Sequence, residues 1–131
     1  MLYHVWFSPT RRKWLLVGAI DQAIKEFLVE EACREAIKVR AYETVVDHVH
    51  LLLELDEGQD LSRTIRLLKG YSARRVFQRF PELRMDAGIE HFWQRSYGCS
   101  EVPPSQLAQV AAYIRTQWHR LEKYDVGGAP R

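Results

Sequence analysis

Long hydrophobic runs are missing from this 131-residue chain. No stretch approaches the ~18 apolar residues that a membrane span needs. Nor does a basic segment followed by an apolar one open the sequence, which speaks against a secretory leader. Cysteine is scarce: Cys33 and Cys99 stand far apart, with no CxxC spacing and no Cys/His cluster. That pattern speaks against a disulfide framework or a Cys-ligated metal, and two idle thiols in a reducing cytoplasm are expected. Internal repeats and low-complexity tracts are absent as well, so residues 1–131 are expected to form a single domain. Strong charge of one sign is also lacking. A net charge of +2 is too mild to mark a nucleic-acid binder by itself. What remains is 47% hydrophobic and 27% charged, a globular composition in a chain long enough to bury a core unaided.

The charges are unevenly spread. From Leu61 to Arg84 seven residues are basic (Arg63, Arg66, Lys69, Arg74, Arg75, Arg79 and Arg84) and Glu82 is the only acid. From Gly18 to Glu35 the balance reverses, with Asp21, Glu26, Glu30, Glu31 and Glu35 against Lys25 and Arg34. One basic and one acidic face are expected, although a solvated helix face also produces such runs.

Local patterns predict the order β-α-β-β-α-β-α. Tyr3 to Ser8 is β-branched and aromatic and stops at Pro9, which predicts a first strand. A basic loop, Thr10 to Lys13, follows. Ile20, Ile24, Phe27 and Leu28 recur at helical spacing and predict a helix to about Ile37. Lys38 to Val46 and Asp47 to Leu55 suit an antiparallel strand pair, though no Gly, Asn or Pro marks the turn between them. Asp60 is placed to cap a helix whose apolar side carries Leu61, Ile65, Leu68, Ser72 and Val76, and Pro81 ends it. His91 to Tyr97 reads as a fourth, aromatic strand. Pro103 and Pro104 precede a last helix with an apolar stripe of Leu107, Val110, Ala111, Ile114, Trp118 and Leu121. The expected class is α+β, an antiparallel sheet with helices packed on it, as in ferredoxin-like or RRM-like cores. That superfold decides no function.

Two constellations can carry chemistry. In Asp47-His48-Val49-His50, strand alternation sends both imidazoles to one face, about one strand pitch apart, where they can converge on a divalent metal. Two surface histidines on a half-exposed strand fit the same pattern, and a metal would need a third ligand. Tyr113 and Gln117 lie four apart and stack on one face of the last helix beside its apolar stripe. A phenol is a poor nucleophile unless the electrophile is activated, and a metal that polarises a phosphoryl oxygen does this. A Gln amide oxygen is a hard ligand able to complete a His-His-Gln site. A boundary tyrosine beside an exposed glutamine fits equally well.

Five segments in order resemble the single-tyrosine HUH transposases of bacterial insertion sequences, the insertion-sequence 200/605 type. YHVWFSPTRRKWLL is similar to that family's opening strand and basic loop. DHVHLLLEL resembles its HUH strand, and IRLLKGYSARRVFQRFPEL its Leu-Lys-Gly-x-Ser-x-Arg-Arg helix. HFWQRSYGCSEV resembles its fourth strand, and YIRTQ its catalytic helix. One departure is Thr44-Val45-Val46 before Asp47, where the family commonly has Met-Pro; it bears on the turn rather than on the site. The resemblance implies cleavage and rejoining of single-stranded DNA through a 5′-phosphotyrosine, with Tyr113 as nucleophile. It implies Mg²⁺ or Mn²⁺ held by His48, His50 and Gln117, with Asp47 orienting rather than ligating. Arg11, Arg12, Lys13, Arg63, Arg66, Lys69, Arg74, Arg75 and Arg79 would contact phosphates of a terminal hairpin. Phe92, Trp93 and Tyr97 are candidates for stacking on unpaired bases, although aromatics in a strand also serve as core. A cytoplasmic homodimer is implied, with active sites shared between subunits across the Pro103-Pro104 linker. Rival readings are a non-catalytic RRM-like binding module, a domesticated relative that processes genomic hairpins, and a hydrolase using the His pair and a water.

Overall fold

The computed structural model describes residues 1–116. Four strands, β1 (Leu2–Phe7), β2 (Lys38–Val45), β3 (His48–Glu54) and β4 (Gly98–Val102), form one antiparallel sheet in the order β2-β3-β1-β4. Helices α1 (Gly18–Arg34) and α2 (Leu61–Arg79) cross between them, α3 (Glu82–Met85) is one short turn, and α4 (Leu107–Arg115) closes the described chain. The strand order is that of a ferredoxin-like core, as the sequence predicts.

Both faces of the sheet are covered. Alternation along β1 and β3 sends Val5, Phe7, Val49, Leu51 and Leu53 into a core shared with α1 and α2, where Ile24, Phe27, Ile65 and Leu68 are fully buried. On the opposite face Leu2, Ala41, Leu52 and Val102 meet Ala111 and Ile114 of α4. Burial from two sides explains why β3 reads Leu51-Leu52-Leu53 without a polar break.

Asp60 caps α2 as expected, its carboxylate accepting from the backbone N–H of Arg63 at 3.0 Å. Three features differ from the sequence-based expectation. First, α1 stops at Arg34 rather than near Ile37. Ala36 takes a left-handed φ of 54° and Ile37 N–H reaches back to Ala32 O at 2.8 Å, a helix-ending bond pattern usually signalled by Gly. Second, the β2–β3 turn is only Val46-Asp47, with Val46 at φ 27° and its carbonyl held by Leu16 N–H at 3.0 Å. A branched residue at positive φ costs about 1–3 kcal/mol, which the surrounding pairing must offset.

Third, the fourth strand is not His91–Tyr97 but Gly98–Val102. The backbone of the aromatic segment is held by the isolated bridge between Pro9 and Trp93. Its Phe92 and Trp93 are core instead. Trp93 packs edge-on to Phe7 and Phe92, and its indole N–H donates to the buried Ser72 hydroxyl at 2.9 Å. Lys69 holds the same segment to α2, donating to the carbonyls of Gln94 (2.5 Å) and Ser96 (3.2 Å). The actual strand has little β propensity of its own and forms because β1 offers it an edge. Its Gly98 lies against Trp6, whose indole leaves no room for a Cβ there.

Candidate active site

Pairing of Trp6 with His50 and of His4 with Leu52 puts His4, Trp6, His48 and His50 on the sheet face that α4 covers. Helix α4 reaches over only part of that face. Its buried Ala111 and Ile114 fix the helix, and Tyr113, 41% exposed, falls beside the histidines with its ring edge-on to His4 at 6.2 Å. His4, Trp6, Arg12, His48, His50 and Tyr113 thereby line one open cleft of about 840 Å³. The sequence-predicted nucleophile and histidine pair are brought together within one chain.

The two imidazoles lie 4.7 Å apart, ring centre to ring centre. His48 Nδ1 is 2.7 Å from Asp47 Oδ1. An ionised carboxylate only accepts, so Nδ1 carries the proton and the lone pair of His48 is on Nε2. The other Asp47 oxygen pairs with Arg12 at 3.1 Å, so this carboxylate joins the basic loop to the His strand in an orienting role. His50 is buried, and its pKa is pushed down to about 3, chiefly by desolvation and then by the nearby His48 and His4. It is therefore neutral at ordinary pH. Its Nε2 is buried with no hydrogen-bond partner among the described residues. A neutral imidazole with an unsatisfied inward nitrogen, beside a second whose carboxylate fixes the tautomer, has the chemistry of a divalent-metal donor pair. The described residues hold no cluster of three His, Cys, Asp or Glu that would complete such a site without another ligand type. Gln117, the third ligand implied by the sequence, lies outside the described residues.

A second cleft, about 1080 Å³, runs between α2 and the 90–97 segment. Its floor is apolar, with Ile65, Phe77 and Phe92, while Arg66, Arg74 and Arg84 stand on its rim. Gln94 and Tyr97 line both clefts, so the two are adjacent. The basic residues differ in what they touch: Arg74 lies over Tyr71, and Arg84 lies over Phe77 and donates to the Glu90 carbonyl at 3.3 Å. Arg75 pairs with Glu30 at 3.2 Å and lies over Phe27, and Arg79 also covers Phe27, so both serve the α1–α2 contact. Lys69 is occupied by the two carbonyls, and burial lowers its pKa. Arg63 is exposed on the first turn of α2, and Arg11, Arg12 and Lys13 are exposed on a 3-10 turn and its end. Of the proposed stacking aromatics, Phe92 and Trp93 are buried, while Tyr97 is half-buried with its hydroxyl 2.9 Å from Ser62. Cys33 and Cys99 are free and exposed.

Sequence reasoning missed His4 and Trp6. Alternation puts them on one face of β1, but only the cross-strand register shows that this is the face of His48 and His50.

Comparison with known proteins bears on the family and the fold. The family model described as "Transposase IS200 like" matches residues 1–117. The chain belongs to this transposase family. The transposase is 33% identical over 115 residues to the ISDra2 transposase TnpA of Deinococcus radiodurans, spanning 88% of this chain and 82% of the relative. It is 27% identical over 125 residues to the transposase for insertion sequence element IS200 of Salmonella typhimurium, spanning 95% and 80%. Its fold superposes on a crystal structure assigned to a D. radiodurans R1 transposase with a TM-score of 0.72, at 30% identity over 89% of this chain and 90% of that one. A REP-associated tyrosine transposase bound to a REP hairpin shares the fold (TM-score 0.64, 17% identity, 88% and 64% covered). No helix among the described residues is long and apolar enough to cross a membrane.

Proposed function

We propose that this transposase cuts and rejoins single-stranded DNA at hairpin-bearing element ends, with Tyr113 as nucleophile and a 5′-phosphotyrosine as intermediate. The observation that carries this reading is the shared cleft, in which Tyr113 stands beside two histidines while the buried Nε2 of His50 has no partner among the described residues. The Tyr113 oxygen attacks a backbone phosphorus and loses its proton. The bond from phosphorus to the 3′ oxygen breaks, and that oxygen takes up a proton as a free 3′-OH. The phosphotyrosine ester retains the phosphodiester linkage, so attack by another 3′-OH rejoins DNA and restores the phenol without ATP.

His48 and His50, with Gln117 as third ligand, would hold Mg²⁺ or Mn²⁺. When bound, the ion supplies Lewis-acid polarisation of a phosphoryl oxygen and charge neutralisation in the transition state. Asp47 keeps His48 in the tautomer that presents Nε2. Arg66, Arg74 and Arg84 would engage duplex phosphates on the rim of the second cleft, and the adjoining cleft would receive the single strand past Gln94 and Tyr97. The basic loop at Arg11, Arg12 and Lys13 borders the entry, with Arg12 already lining the first cleft. The reaction belongs in the cytoplasm, where the DNA is.

The test is incubation with single-stranded DNA carrying a terminal hairpin, followed by a search for a covalent protein–DNA adduct and peptide mapping of its site. An adduct on Tyr113 is expected. Hairpin binding with no adduct in Mg²⁺ or Mn²⁺ would leave the RRM-like binding module, and an adduct on another tyrosine would overturn the site. Mixing His48→Ala with Tyr113→Phe under subunit exchange decides how the site is assembled in a homodimer. Sites closed within each chain give no recovery. Sites shared between subunits make about half the dimers mixed, each with one intact site, so activity returns to about a quarter of native.

A further inference from the structure

His4 has no role in the proposed chemistry, yet it makes a polar contact to His50. Its Nε2 lies 3.0 Å from His50 Nδ1, and the two rings stack at 5.2 Å with 26° between their planes. Strand pairing makes this contact rigid. β1 and β3 are neighbours in the sheet, and Trp6 and Leu52 occupy the paired positions on either side.

Two tautomeric arrangements satisfy a contact between neutral imidazoles. If His4 donated its Nε2–H, the proton of His50 would sit on Nε2, a buried donor with no acceptor among the described residues and a nitrogen unable to ligate. If His50 donates from Nδ1, its lone pair faces inward at Nε2 and the His4 lone pair accepts.

We infer that His4 is a positioning residue that holds His50 as the Nδ1–H tautomer, with the lone pair on the buried Nε2. His4 thereby does for His50 what Asp47 does for His48. The value of this tautomer for metal binding rests on the reading of the site given above; the tautomer itself does not.

The experiment begins with the unmodified protein, free of metal and labelled with ¹⁵N at histidine. Long-range ¹H–¹⁵N correlation should show the His50 proton on Nδ1, with Nε2 unprotonated. A proton on Nε2 overturns the proposal without any variant. His4→Phe keeps the ring and removes the acceptor, and His4→Gln places an amide oxygen near the lost nitrogen. His4→Phe should mix the His50 tautomers and raise the Kd for Mn²⁺, titrated by electron paramagnetic resonance, by about 10–100-fold. His4→Gln should restore the Nδ1–H signal and bring the Kd back to within about threefold of native. A folded His4→Phe with unchanged His50 tautomer and unchanged Mn²⁺ affinity overturns the proposal. Should the native protein take up no Mn²⁺, or bind it unchanged in His48→Ala, the reading of the site fails instead, while the tautomer measurement still decides the role of His4.

Discussion

The two faces of the sheet are built to different ends from the same strands. Towards α1 and α2, β1 and β3 contribute only apolar side chains, and the core they enter includes Phe7, Phe27, Tyr71, Phe92 and Trp93. Towards α4 the same strands place Leu2 and Leu52 in a cluster of six buried residues without an aromatic, and then spend His4, Trp6, His48 and His50 on an open cleft. Burial of large apolar side chains is what stabilises a domain of this size. One face therefore carries most of the stability, which leaves the other able to hold neutral, unsatisfied polar groups.

That division can be broken by substitution. The largest effect is expected from Tyr113→Phe, which should remove the covalent adduct entirely, leave hairpin affinity within a few-fold and leave the unfolding temperature unchanged. Gel shift of denatured protein on labelled DNA reads the first, and filter binding the second. Close behind it, His50→Ala, His48→Ala or EDTA should abolish cleavage while hairpin binding weakens far less, because phosphate contacts supply most of the affinity. Full cleavage in EDTA would refute a metal at this face.

On the opposite face the signs reverse. Phe27→Ala should cost about 3–5 kcal/mol in urea unfolding, and its folded fraction should retain cleavage. Gly98→Ala tests the junction. The added methyl meets the Trp6 indole, so Trp6 must move. A loss of about 1–3 kcal/mol with altered Trp fluorescence is expected. The smallest effect sharpens the comparison for charge. Arg66→Ala with Arg74→Ala should flatten the salt dependence of DNA binding, by about one in log–log slope for each lost phosphate contact. Arg75→Ala with Arg79→Ala should lower stability and leave that slope nearly intact, because those guanidiniums already lie on Phe27.

Periodicity alone conveyed much of this fold. The helices, the strand pair and the Asp60 cap are local features, and local residues announce them. The His48/His50 alternation was legible for the same reason. What stayed hidden is nonlocal. β4 exists because β1 offers an edge, while the more β-like His91–Tyr97 segment is drawn into the core through Phe92 and Trp93. The end of α1 was obscured because Ala36 stands where a Gly would have signalled the turn. His4 could not be assigned to the site without the register of β1 on β3. Likewise, a basic run does not reveal which arginines face DNA, since that depends on where α1 lies against α2. Gln117 falls outside the described residues, so its place at the site rests on the sequence.

The turn between β2 and β3 has a consequence for how this gene tolerates change. Only Val46 and Asp47 separate the two strands, and the His strand begins at the next residue. Strand side chains alternate, so a shift of β3 by one residue would exchange its faces. His48 and His50 would be driven into the apolar core beneath α1 and α2, and Val49 would emerge beside Tyr113. A single-codon insertion or deletion at this turn should thus be lost from any population that needs the enzyme, whereas the exposed turn Asp86-Ala87-Gly88 should accept length changes far more readily.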